Sequence, residues 1–168
     1  SPDATLIAFP GKYEGIPGAY VMPTTGGAPR RITPAMDFRS STGWTADGRH
    51  VVYRKSGYPT NYEYWLAPLE KGAAKRLPLE FASHVWMGPA DDQFVFTRFN
   101  RWYAAWFHYI GGMQNQVWRY DGKGFRQITQ TPGTNEFPAW AGQDCYFVNE
   151  NEGRFTLMSV PVDGGKPK

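Results

Sequence analysis

One phrase recurs along this chain and limits what the chain can fold into. Its fullest copy is Trp44-Thr45-Ala46-Asp47-Gly48-Arg49-His50-Val51-Val52-Tyr53: an aromatic, a short turn, then a β-branched and aromatic run. Asp tolerates unusual backbone angles and Gly has no Cβ to clash, so Asp47-Gly48 predicts a tight reversal. The run that follows predicts a strand. Ser1-Pro2-Asp3-Ala4-Thr5-Leu6-Ile7-Ala8-Phe9 repeats the phrase without its aromatic, residues 87–96 give a third copy, and residues 140–147 a shortened fourth. Repetition at this scale sets an architecture before any single residue does.

A second mark closes each repeat. Thr25-Gly26-Gly27-Ala28-Pro29-Arg30-Arg31-Ile32-Thr33 ends the first, Glu70-Lys71-Gly72-Ala73-Ala74-Lys75-Arg76-Leu77-Pro78 the second and Asp121-Gly122-Lys123-Gly124-Phe125-Arg126-Gln127-Ile128-Thr129 the third. Asp163-Gly164-Gly165-Lys166-Pro167-Lys168 begins a fourth. Gly-rich turns between strand-like runs are hairpin signals. Asp3 and Asp47 lie 44 residues apart, and Gly27 and Gly72 lie 45 apart. A period of about 40–45 residues with four strands in each is the signature of a propeller blade. The expectation is therefore an all-β propeller segment of about four blades, each of four antiparallel strands. The repeats run over about residues 1–33, 34–78, 79–129 and 130–168. The first lacks its leading strand and the last lacks the end of its fourth, so the chain reads as an excerpt of a larger ring. A four-bladed ring, or two chains completing one ring, are the alternatives. Unpaired strand edges invite edge-to-edge self-association.

Composition supports short strands joined by turns. Aromatics make up 17% of the 168 residues, with 19 Gly and 14 Pro, a mixture that suits long helices poorly. Net charge is +3, and the 18 basic residues are scattered without a run, which argues against a nucleic-acid partner. No apolar stretch approaches the ~18 residues of a membrane span, and no basic segment followed by an apolar one opens the chain. A membrane partner is not expected, and the expected location is cytoplasmic. Cys145 stands alone, so an intrachain disulfide is impossible and a buried structural thiol is the natural reading. The chain starts at Ser1 inside a repeat, as a piece of a longer polypeptide would.

Chemistry-bearing residues are few. A nucleophilic relay needs a nucleophile, a base and an orienting acid, and the three histidines, His50, His84 and His108, have unrelated spacings. His50 follows Asp47 at the head of a strand, as turn residues commonly do. Three such His and a remote Cys make no zinc site. Gly111-Gly112 lacks the Lys-Ser/Thr of a phosphate loop, and Asp91-Asp92 reads as a turn device and not a calcium loop. No catalytic residue, metal ligand or cofactor is expected. The repeated Trp44, Trp86, Trp118 and Trp140 read as blade-to-blade core. The third repeat carries an aromatic insertion at residues 99–113, containing Arg101, Trp102, Trp106 and His108. Trp, Tyr and Arg dominate binding hot spots, so these four residues, with His84 on a leading strand, are the candidate contacts for a peptide or protein partner. The competing reading is a long hairpin packing its own aromatics.

The Ser-Pro-Asp-x-x-x-Ile-Ala-Phe phrase, followed by Gly-Gly and Arg-Arg-Ile-Thr, resembles the propeller repeats of tricorn protease and TolB-type proteins. Arg101-Trp102, Gly111-Gly112 and Val117-Trp118-Arg119-Tyr120 are similar to a tricorn segment with the pattern Trp-x-x-Tyr-x-Gly-Gly-x-x-Gly-x-Ile-Trp. Asn135-Glu136-Phe137-Pro138-Ala139-Trp140 and Cys145-Tyr146-Phe147-Val148-Asn149-Glu150 resemble the blade after it. The chain departs where the family's Arg before Gly-Gly is Ile110, and where its following Gly is replaced within residues 113–116. The resemblance implies a six-bladed, non-catalytic propeller that guides peptides to a serine-protease core carried elsewhere. Its rivals are a TolB-type interaction scaffold, the propeller of a prolyl-peptidase-like hydrolase, and an excised fragment that self-assembles.

Overall fold

Fourteen β-strands and no helix form among the residues that the computed structural model describes, 1–13, 15–33, 38–56, 62–80, 82–99 and 111–168. They are β1 (Leu6–Gly11), β2 (Gly18–Pro23), β3 (Arg30–Arg31), β4 (Phe38–Trp44), β5 (His50–Ser56), β6 (Tyr62–Pro68) and β7 (Lys75–Arg76), then β8 (His84–Met87), β9 (Phe94–Thr97), β10 (Trp118–Tyr120), β11 (Phe125–Gln127), β12 (Thr134–Ala141), β13 (Asp144–Asn151) and β14 (Arg154–Pro161). Every neighbouring pair is antiparallel and consecutive in sequence, giving sheets β1-β2-β3, β4-β5-β6-β7, β8-β9-β10-β11 and β12-β13-β14. The expected all-β propeller architecture is therefore present, and the first sheet has no leading strand. Ser159 and Lys168 exchange two backbone hydrogen bonds of 2.9 and 3.0 Å, starting a fourth strand beside β14.

The chain divides into two compact units, Ser1–Glu80 and Phe81–Lys168. Each holds two sheets. In the first, Ala19 of β2 packs with Tyr53 of β5 and Ala67 of β6, with Ile32 and Trp65 against them. In the second, Val95, Val117 and Ile128 meet Cys145, Phe147 and Val160, flanked by Trp140 and Met158. Gly88 lets these sheets approach, because a Cβ there would fall 2.7 Å from the Trp140 ring. The largest buried side chains, Tyr20, Tyr53, Tyr64, Phe94 and Phe147, all lie on central strands. Of the recurring tryptophans, Trp140 packs between two sheets as expected, but none of the four is fully buried. Trp86 is 48% exposed, and Trp44, Trp118 and Trp140 are half-buried. Trp44, Trp86 and Trp140 sit on β4, β8 and β12, which are edge strands with one flank uncovered.

Both recurring phrases have a physical role. In the first, and in the Asp121 copy of the second, an Asp side chain ties its own turn. Asp47 accepts from the Thr45 hydroxyl (2.6 Å) and the Arg49 amide (2.9 Å). Asp3 does the same with the Ser1 hydroxyl and the Thr5 amide, and Asp121 with the Gly124 and Lys123 amides. These donors hold all three carboxyls below the usual range. Asp3 is brought down to about 2, with the Ser1 hydroxyl as the largest cause, and for Asp47 the Thr45 hydroxyl leads. In the second phrase, Ile32 and Ile128 donate their amides to Ala19 and Val117 carbonyls at 2.9 Å. The next residue completes the clamp: Thr33 and Thr129 hydroxyls accept the Ala19 and Val117 amides at 2.9 and 2.8 Å.

Two outcomes follow. Phe147→Ala should cost about 3–5 kcal/mol in urea denaturation, whereas Leu157→Ala, on an exposed strand face, should stay within ~0.5 kcal/mol. Because the turn carboxyls are depressed in the folded state, their contribution is complete above the ordinary Asp value near 4 and is lost as pH falls toward 2. Melts between pH 5 and 2 should show that loss, and Asp47→Asn should flatten it.

Candidate functional site

The second unit holds a polar cluster where the leading strands of its two sheets begin. His84 opens β8, and Glu136 lies near the start of β12. A β-bulge interrupts β12 between Glu136 and Ala139. Before it Asn135 pairs with Asn149, and after it Trp140 pairs with Cys145. Asn149 and Cys145 share one face of β13, so the bulge adds the residue that lets Asn135 and Trp140 both face inward. The extra residue is Phe137, a non-Gly residue at φ 52°, a conformation that costs energy and persists only where its surroundings demand it. Its ring is 62% exposed and lies 4.5 Å from the His84 ring.

Asn115 organises the carboxylate. It is fully buried, accepts the Phe99 amide at 2.7 Å, and donates to the Phe99 carbonyl at 2.6 Å and to Glu136 Oε1 at 2.7 Å. It therefore clamps Phe99, where the aromatic insertion leaves β9, and fixes Glu136 at once. Glu136 Oε2 lies 3.3 Å from His84 Nδ1 and accepts no regular hydrogen bond among the described residues. Ser83 Oγ sits 3.2 Å from the same nitrogen. A relay requires the hydroxyl and the carboxylate on opposite nitrogens of the imidazole, so Ser83, His84 and Glu136 do not form one.

A second polar group beside it is closed. Asn135 donates to Gln116 Oε1 (3.0 Å) and Thr131 Oγ1 (2.8 Å) and accepts from Asn149 (2.8 Å). Gln116 in turn donates to the Thr131 carbonyl at 3.0 Å. Buried polar groups satisfied in this way rigidify a core. The His84 group differs, because one acceptor is left open and one ring reaches solvent.

Of the candidate contacts, His84 is placed in this cluster, whereas Arg101, Trp102, Trp106 and His108 lie outside the described residues. His50 opens β5 and donates its amide to Thr45 Oγ1 at 3.1 Å, while Asp47 is taken up by Thr45 and Arg49. Cys145 is buried, and burial pushes its thiol up to about 12. Sequence reasoning did not single out Asn115, Glu136 or Phe137. The available signal was an Asn-Glu pair at the head of an otherwise apolar strand.

Asn115→Ala would orphan the Phe99 amide and carbonyl and Glu136 Oε1 together, so a loss of about 3 kcal/mol or more is expected in denaturant titration. Cys145 should resist a thiol reagent in buffer and react at once in 6 M guanidinium, as the reactive species is the thiolate.

The chain was compared with known proteins. It matches the tricorn protease N-terminal β-propeller domain over residues 1–168. It is 32% identical over 170 residues to tricorn protease homolog 1 of Streptomyces coelicolor, covering 98% of this chain and 16% of that protein. A putative TolB from Agrobacterium tumefaciens superposes at a TM-score of 0.74 with 23% identity, covering all of this chain and 61% of that one. The crystal structure of the tricorn protease superposes at 0.63 with 20% identity, over 99% of this chain and 17% of that one. At those identities the structural likenesses speak for the fold alone. The chain thus spans about a sixth of the curated relative it matches, and the match over its whole length makes it a member of the tricorn protease N-terminal β-propeller family.

Proposed function

We propose that this domain is a non-catalytic module of a tricorn-like protease, recognising peptides and guiding them toward a proteolytic centre carried elsewhere. The observation that carries this reading is the family match over the whole chain, read together with the absence of a Ser-His-acid relay around His84. The partly exposed His84 ring and the exposed Phe137 ring supply polar and aromatic contacts on one surface, with the buried Glu136 carboxylate next to His84. Such mixed surfaces suit extended chains, whose backbones bring donors and whose side chains bring apolar area.

A TolB-type interaction scaffold is the second reading, since the superposition on a putative TolB at 0.74 shows a shared fold and a fold of this kind does not require a protease beside it. The two differ in what they bind. A peptide-guiding domain takes short unstructured peptides of many sequences, whereas a scaffold takes one folded or extended partner. Anisotropy titration of C-terminally labelled unstructured peptides into the 168-residue chain separates them. Saturable micromolar binding of several unrelated peptides, without hydrolysis, is expected. Silence up to millimolar concentrations for every peptide would refute the guiding role.

A further inference from the structure

We propose that the cluster of His84, Glu136 and Phe137, in which the Phe137 and His84 rings reach solvent over a buried carboxylate, is a binding site for a primary ammonium group, from a peptide's amino terminus or from a lysine side chain. The proposal rests on reading the domain as a peptide binder, and it names the group that is read.

The central observation is an unbalanced carboxylate. Glu136 is only 6% exposed. Its Oε1 is taken by Asn115, and its Oε2 accepts no hydrogen bond among the described residues. A buried carboxylate oxygen without a donor is costly, and such groups are ordinarily paired. The neighbour is His84 Nδ1 at 3.3 Å. Where the Ser83 hydroxyl donates to that nitrogen across 3.2 Å, the nitrogen's lone pair is filled and it has no proton to give Glu136, so Oε2 still calls for a donor. Thr97 adds a third oxygen. It pairs directly with His84 in the β8–β9 ladder, so the two side chains share a face, and its buried Oγ1 is also without a partner among the described residues. The Phe137 ring stands beside His84 and is open to solvent, where the face of an aromatic ring attracts a cation within about 6 Å.

The chemistry selects the ligand. A guanidinium is a planar fork that prefers both oxygens of a carboxylate, and Glu136 offers one. A divalent metal needs four or more ligands, and this cluster supplies one carboxylate oxygen and one imidazole nitrogen. An ammonium is a compact charge that one carboxylate oxygen and an aromatic face can hold, and Glu136 Oε2 and the Phe137 ring both lie next to His84. The neighbouring Arg98 does not compete, since its guanidinium lies over the Phe99 and Trp118 rings. The site is rigid because Asn115 holds Glu136 and the bulge holds Phe137.

The test uses the full 168-residue chain and three peptides: a lysine-free peptide with a free amino terminus, the same peptide N-acetylated, and an N-acetylated peptide with one internal lysine. Calorimetric titration should show at least tenfold weaker binding after acetylation of the lysine-free peptide if the amino terminus is read. Recovery of affinity by the internal lysine would identify the side chain as a source. Glu136→Gln, which keeps the shape and removes the charge, should cost at least tenfold for whichever amine binds, with its melt recorded alongside. n-Butylammonium alone should shift the NMR signals of His84 and Phe137. Peptide binding that ignores acetylation would overturn the ammonium site while leaving the peptide-binding reading intact. No response to n-butylammonium would overturn it independently of any peptide. Saturation by Zn(II) alone, lost in Glu136→Gln and excluding the amines, would replace it with a metal site.

Discussion

An antiparallel sheet has two faces, and a ring such as Phe147 becomes dry only when a second sheet covers the face it occupies. That requirement governs both units of this molecule. Each brings two meandering sheets together, and the side chains buried completely come from central strands, where neighbours flank the ring on both sides as well as above. The edge strands β4, β8 and β12 cannot offer such shelter, and their tryptophans remain partly in solvent. The hydrophobic term in these interfaces is proportional to area removed from water, so the close approach at Gly88, where the Trp140 ring takes the place of a Cβ, is part of the same packing.

Polar groups enter these interfaces only when tied. The repeated Ile-Thr clamp satisfies two backbone groups at the foot of a sheet. The Asn135 network does the same at the head of β12. Both are local solutions to the cost of burying unpaired donors and acceptors. The Asn115–Glu136 pair belongs to this class on one side and leaves it on the other. One carboxylate oxygen is bound into the scaffold and the second is not. The bulge that realigns β12 for packing also pushes Phe137 outward beside that second oxygen. The realigned packing and the exposed Phe137 ring thus arise from the same inserted residue.

The family relationship sets the frame for this surface without specifying it. Propellers of low mutual identity share blade geometry, and function resides in the groups grafted on them. Here the blade phrases are spent on turns and clamps: Asp3, Asp47 and Asp121 bind their own backbones, and Ile128-Thr129 closes a sheet. None of these carries chemistry. His84 and Glu136 lie off the repeating pattern, at the start of β8 and in the irregularity of β12.

The sequence by itself determined the all-β class, the meander order and the turn positions. These follow from near-neighbour preferences: alternation of side chains along a strand, Gly at positive φ, and Asp closing its own turn. It also determined that Cys145 would be buried, since an apolar strand phrase encloses it. Only the tertiary structure decided which aromatics would be dry, because sheltering depends on a strand's place in its sheet and on which face a second sheet covers, as Tyr146 (41% exposed) and Phe147 (0%) on β13 show. Only the tertiary structure joined His84, Asn115 and Glu136, which are separated by more than a repeat from first to last. Their meeting depends on two sheets packing and one strand slipping by a residue, and no local pattern records either event.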